Sequence, residues 1–240
     1  MKKDLLNFIQ NSKREGRKLI AILIDPDKVA LKDCESLADQ LNQSAIDLIF
    51  VGGSTVEENV TEEFLKRANF KKPVALFPGN TNQITSEAEA ILFLSLLSGD
   101  NPEYLIHQHV KAAPILRKSS LEIIPTGYIL IDGGSETAVQ RISKTKPILQ
   151  NDISRIQNTA LAAVYLGKQL VYLEAGSGAK KRVSTDIIST VSQTIDIPLI
   201  VGGGIRSKAG ITAAFNAGAD IVVVGTAFEE DASILESLSS

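Results

Sequence analysis

Eight short runs rich in Ile, Val and Leu punctuate the chain, at residues 19–24, 46–51, 74–77, 90–94, 128–131, 170–173, 199–201 and 221–224. Within them polar residues do not alternate with apolar ones, the pattern of parallel strands buried on both faces. Several are separated by segments with apolar residues at three-to-four spacing, clearest at Ile187, Ile188, Val191 and Ile195 and at Ile211, Ala214 and Phe215, which predicts crossover helices. Ser184 and Ser207 stand where N-caps belong, Gly218 where a helix should stop, and Pro198 before the seventh run.

Eight strands alternating with helices predict a closed (β/α)₈ TIM barrel in one domain, residues 1–240, rather than an open doubly wound sheet, whose glycine-rich loop follows its first strand. Here the glycines come late. The least regular stretch, 98–125, carries Gly99, Asn101, Pro102 and Pro114, so a displaced helix and loop is expected at the third or fourth crossover. Residues 7–14 read as a helix beneath the barrel.

Composition narrows the partners. The 240 residues are 44% hydrophobic, enough for one substantial core, and the formal charge of −3 comes with Lys and Arg scattered along the chain. That argues against nucleic acid. One cysteine, Cys34, cannot form an internal disulfide, and the N-terminal segment lacks an apolar signal core, so a cytoplasmic address is expected. No apolar run approaches the roughly 20 residues of a transmembrane span.

Three glycine clusters directly follow the late strands: Glu174-Ala175-Gly176-Ser177-Gly178, Gly202-Gly203-Gly204-Ile205-Arg206 and Gly225-Thr226. Glycine lets backbone N–H groups approach an anion, and the loops after strands 7 and 8 are the usual phosphate site of such barrels, with residues 227–231 as a candidate for the short extra helix. Taken singly, each glycine could equally serve a tight turn. Asp25, after the first strand, and Ser54, after the second, should face each other as hard oxygen ligands suited to Mg²⁺; equally, Asp25 could cap the turn at Pro26 and Ser54 a helix beginning near Val56. Glu174 could take a proton from a bound hydroxyl unless a Lys or Arg pairs with it. His107 and His109 lack partners at metal-ligand spacing and read as surface or packing residues, Cys34 as a buried hydrophobe, and Asp220 as structural.

On the motifs Leu23-Ile24-Asp25-Pro26-Asp27-Lys28, Val51-Gly52-Gly53-Ser54, Phe77-Pro78-Gly79-Asn80, Tyr172 through Gly178, Val201 through Arg206 and Val224-Gly225-Thr226, the chain resembles the geranylgeranylglyceryl phosphate synthases and their PcrB-like bacterial relatives nearly end to end. The resemblance implies a prenyltransferase joining geranylgeranyl diphosphate to the free primary hydroxyl of sn-glycerol 1-phosphate, dependent on Mg²⁺. It places the metal at Asp25 and Ser54 and a catalytic base at Glu174. Glycerol phosphate contacts would come from Tyr172, Leu173, Glu174, Ala175, Gly176, Ser177, Gly178, Gly203, Gly204, Gly225 and Thr226. It further implies a homo-oligomer, with at most peripheral membrane contact.

Two positions depart from the family pattern. Leu23 stands where some members carry a phosphate-binding Lys, which suggests the branch that lacks it, and Tyr104 and His107 stand where Trp and Gly are more frequent. An aromatic at Tyr104 resembles a stop on prenyl length and implies a C20 donor rather than a longer heptaprenyl one. Phe77, Phe93 and residues 90–97 are candidates for the prenyl groove and could equally be ordinary core. Competing readings are a sugar-phosphate isomerase or lyase of the phosphate-binding barrels, and a non-catalytic phosphometabolite binder.

Overall fold

The structure is a computed structural model and describes residues 4–225. Helix α1 (Leu5–Arg14) leads into β1 (Leu19–Ile24), α2 (Cys34–Gln43), β2 (Leu48–Val51), α3 (Val60–Arg67) and β3 (Val74–Leu76). Then follow β4 (Ala90–Leu96), α4 (His107–Leu116), β5 (Glu122–Leu130), α5 (Ala138–Ser143), α6 (Ile153–Tyr165) and β6 (Leu170–Glu174). The chain continues through α7 (Thr185–Ser192), β7 (Leu199–Gly202), α8 (Lys208–Asn216) and β8 (Ile221–Val224). All neighbouring strands are parallel and β8 returns to β1, which closes the barrel.

Because side chains alternate along a strand, the barrel has two cores. Ala21, Phe50, Ala75, Leu92, Tyr172 and Ile200 fill the inside, while Ile22, Val51, Leu76, Ile91, Leu173 and Val201 pack outward against the helices. Leu5 and Ile9 of α1 belong to the inner core, so this helix plugs the N-terminal end as expected. Ser184 and Ser207 cap α7 and α8 through their side chains, and Gly218 takes a positive φ after α8. Cys34 is buried. Asp220 is structural: its carboxylate accepts the Leu199 N–H and pairs with Lys13 of α1 at 2.8 Å.

Two expectations need correction. Of the two crossovers expected to be irregular it is the third, outside 98–125, that departs: residues 77–89 join β3 to β4 with only a 3₁₀ turn (Thr81–Gln83) and no α-helix, whereas the fourth carries α4 with Pro114 inside it. The Asn80 side chain accepts from the Asn82 N–H at 3.0 Å, a local bond that favours the turn over a helix. Strand β5 also begins six residues before the run at 128–131. Pro125 is tolerated because it lies below Thr126, the first residue of β5 that pairs with β6, so no ladder bond on that side is lost.

The start of α1 depends on a distant carboxylate. Glu122, the first residue of β5, accepts the N–H groups of Leu5 at 2.6 Å and Leu6 at 3.2 Å, two of the donors a helix N-terminus leaves unpaired. Glu122→Ala should therefore destabilise the fold by about 1–2 kcal/mol in urea unfolding. An unchanged midpoint would show that α1 is held by its apolar face alone.

Candidate active site

The strands' C-terminal ends surround a polar mouth lined by Asp25, Lys28, Ser54, Tyr172, Glu174, Ser177, Gly178, Gly203, Gly204 and Gly225. Asp25 follows β1 directly, and its Oδ1 accepts the Asp27 N–H at 3.3 Å, capping the 3₁₀ turn that Pro26 begins. The capping and mouth-lining readings of Asp25 thus hold together. Across from it, a Cβ on Gly53 would stand only 3.0 Å from the atoms of the Asp25 carboxyl group, so glycine there is what lets the tip of β2 approach. Ser54 does not cap a helix; α3 starts at Val60 with Asn59 before it.

Gln83 secures this approach, and nothing in the sequence singled it out. Its side chain, 1% exposed, accepts the Gly53 N–H at 3.1 Å and donates to the Gly53 carbonyl at 2.9 Å. The backbone immediately before Ser54 is therefore clamped by an amide from the helix-less third crossover. The single hint was a polar residue among turn-formers after Phe77-Pro78-Gly79-Asn80.

On the opposite side, alternation along β6 points Tyr172 and Glu174 inward. Glu174 is 6% exposed and accepts the Gly176 N–H on Oε1 at 2.6 Å. Among the described residues no Lys or Arg pairs with it, so burial raises its carboxyl to about 7, with the Tyr172 hydroxyl and the Gly176 N–H partly opposing the rise. The Tyr172 hydroxyl lies beside this carboxylate without the alignment of a full hydrogen bond, leaving a buried polar atom unsatisfied among the described residues. Glycine makes the crowding possible. A Cβ at Gly202 would stand 2.5 Å from the Tyr172 hydroxyl and 2.7 Å from Glu174 Oε2, and one at Gly203 would stand 2.4 Å from Glu174 Oε1.

Gly203 and Gly204 take successive positive φ values of 82° and 69°, a backbone conformation that favours glycine, and both line the mouth. Ser177 and Gly178 line the same mouth. Leu173 and Ala175 do not, since their side chains pack outward, and Gly176 is set back against Thr137. Thr226 and residues 227–231 lie outside the described residues.

A second, apolar cavity, partly open to solvent, adjoins the mouth and shares Gly53, Ser54, Phe77, Tyr128 and Val139 with it. This trench runs past Ile91, Leu92, Phe93, Leu94 and Leu96 to the inner side of α4. Phe77 and Phe93 line it, as the sequence suggested. Tyr104 stands on its wall and donates its hydroxyl to the Ile142 carbonyl at 3.4 Å. Phe77, Tyr128 and Tyr172 form an aromatic cluster, with centroids 5.4 to 6.0 Å apart, between trench and mouth. Tyr128 entered the sequence reading only as a strand residue; its inward parity on β5 was the available signal. His107 is exposed and paired with Glu103, whereas His109 lines the trench.

Among the described residues no three His, Cys, Asp or Glu side chains cluster as a metal cage. Asp25 and Ser54 nevertheless fit a magnesium ion that keeps waters and substrate phosphates in its shell, because both present hard oxygens to one polar mouth. Among the described residues no helix is long and apolar enough to cross a membrane.

Residues 12–239 match the PcrB family. The chain is 52% identical over 231 residues to the geranylgeranylglyceryl phosphate synthase of Flavobacterium johnsoniae, covering 95% of each chain. It is 43% identical over 230 residues to the enzyme of that name from Pyrococcus furiosus, covering 95% of this chain and 91% of the other. Among solved structures, (S)-3-O-geranylgeranylglyceryl phosphate synthase from Thermoplasma acidophilum in complex with its substrate sn-glycerol-1-phosphate superposes with a TM-score of 0.91 at 36% identity, covering 98% of this chain and 95% of that one.

The buried carboxyl has a measurable signature. A folded-state value near 7, against 4.5 for the ordinary group, means that Glu174 favours folding most below pH 4.5 and that this contribution is lost as pH rises to about 7. Glu174→Gln, which preserves the acceptor for Gly176, should then be more stable than the parent by about 1–3 kcal/mol at pH 8. The gap should shrink toward pH 4.5; a gap that does not vary between pH 5 and 8 would show that the carboxyl is not desolvated.

Proposed function

Because this chain belongs to the PcrB family, we propose that it is a geranylgeranylglyceryl phosphate synthase: it transfers the prenyl group of geranylgeranyl diphosphate to the primary hydroxyl of sn-glycerol 1-phosphate. The observation that carries this reading is the junction of two unlike cavities. A polar, glycine-lined mouth suits a small phosphate ester, an apolar trench suits a hydrocarbon chain, and they meet at Ser54, Phe77 and Tyr128. A sugar-phosphate isomerase would use the first and have no need of the second.

In this scheme the glycines after β6, β7 and β8 hold the phosphate of the acceptor through backbone N–H groups. Tyr172 offers its unsatisfied hydroxyl to the glycerol moiety. The allylic C–O bond of the donor breaks, its electron pair leaves with the diphosphate, and the acceptor's hydroxyl oxygen forms the new ether bond. Glu174 receives the hydroxyl proton, and a group titrating near neutrality in a desolvated site is matched to that task. Asp25 and Ser54 would hold Mg²⁺, which supplies positive charge to the departing diphosphate. The aromatic cluster of Phe77, Tyr128 and Tyr172 keeps water from the reacting carbon and offers ring faces to developing positive charge. Tyr104, fastened to Ile142, limits the length of chain the trench admits. We carry over from the sequence the expectation of a cytoplasmic homo-oligomer that touches membrane no more than peripherally.

The test is transfer of labelled sn-glycerol 1-phosphate into extractable lipid with Mg²⁺ and donors of C15, C20 and C35 length. The C20 donor should be preferred, and no transfer from any donor would overturn the reading. Glu174→Gln should lower turnover by about 10²-fold or more and abolish the rise of activity with pH through about 7. Full turnover in that variant would remove Glu174 from the mechanism. Tyr104→Ala should extend acceptance toward longer donors; an unchanged product distribution would put the length stop elsewhere.

A further inference from the structure

The barrel wall is open at one seam. Strand β3 ends at Leu76, and its pairing with β4 consists of Ala75 with Ala90 and Leu76 with Ile91, yet β4 continues to Leu96. Directly after β4 the Leu97 N–H bonds to the Tyr128 carbonyl of β5, so at this end the odd-numbered residues face β5. By the alternation of a parallel ladder, the peptide groups of Leu94 face the other side, beyond the last pairing of β3 with β4 at Ile91, where the apolar trench begins. The third crossover, residues 77–89, carries no α-helix to cover them. Polar backbone in the wall of an apolar trench would repel the hydrocarbon meant to lie there.

His109 of α4 occupies this place. Its Nε2 donates to the Leu94 carbonyl at 2.7 Å, its Nδ1 faces the Leu105 carbonyl at 3.0 Å, and its ring lies 4.5 Å from that of Phe93. Behind it, Ser95 Oγ approaches Nε2 at 3.4 Å and accepts from Lys168 Nζ at 2.6 Å. The imidazole thus takes the role of the missing strand at Leu94, ties α4 to β4, and presents a ring edge rather than a bare carbonyl to the trench. We infer that His109 is a specificity-determining residue for the prenyl donor, setting the polarity and width of the trench wall by closing the seam between β3 and β4. The inference deepens the functional reading above and rests on it for the identity of the donor.

Binding and turnover separate the two. Calorimetric titration with an unreactive geranylgeranyl thiodiphosphate, on the full chain with Mg²⁺, compares the parent protein with His109→Leu and His109→Gln, alongside steady-state kinetics and thermal melting. His109→Leu, which leaves the carbonyl bare, should weaken analogue binding and raise the donor KM by about tenfold with little change in the KM for sn-glycerol 1-phosphate. His109→Gln, which can still donate to Leu94, should recover to within about threefold of the parent. Unchanged donor affinity in the Leu variant would overturn the inference, as would parallel loss of both substrates' affinity together with a lower melting point. A parent protein that binds the analogue and transfers nothing would overturn the functional reading while the variants still test the wall; one that binds no analogue would overturn both.

Discussion

A closed barrel leaves few strand edges free, but here β4 runs on to Leu96 after its last pairing with β3 at Ile91. The constraint that follows is that backbone polar groups no longer paired strand to strand must find side chains instead. Two side chains meet it, the buried Gln83 and the half-buried His109. Gln83 clamps both peptide groups of Gly53 at the tip of β2, and His109 covers Leu94 on β4. Between them the wall parts far enough for an apolar trench to reach from α4 to the mouth.

The mouth obeys a different rule, close approach of groups that would normally be kept apart. Gly202 and Gly203 admit the Tyr172 hydroxyl and the Glu174 carboxylate to within contact of the β7 backbone, where any side chain would collide. The resulting burial is what lifts the carboxyl toward neutrality. Gly203 lines the mouth, and the two glycines together create the desolvated niche in which the Glu174 carboxyl is raised. The aromatic cluster of Phe77, Tyr128 and Tyr172 stands between this polar niche and the trench.

Much of this was legible along the chain. Continuous Ile, Val and Leu runs identify buried parallel strands because such strands have no solvent face, and β1 and β8 were read to the residue. Glycine clusters at strand ends announced the mouth, and Asp25, Ser54, Tyr172 and Glu174 do converge on it. The early start of β5 escaped because Pro125 looks like a breaker until one knows that β6 pairs only from Thr126 onward.

By itself, then, the amino-acid sequence determined the barrel, its order of strands and the end at which chemistry gathers, since these follow from local periodicity and from where glycine is needed. Which side chains close the seam and which merely pack was decided in the tertiary structure. Gln83 and His109 carry no local signal, because each is defined by a peptide group 30 or 15 residues away that has lost its partner. Likewise Leu173 and Ala175, inside the most diagnostic motif, face outward, while Glu174 between them faces the mouth and loses its water; only the closed barrel, by assigning an inside to alternate residues, makes that distinction.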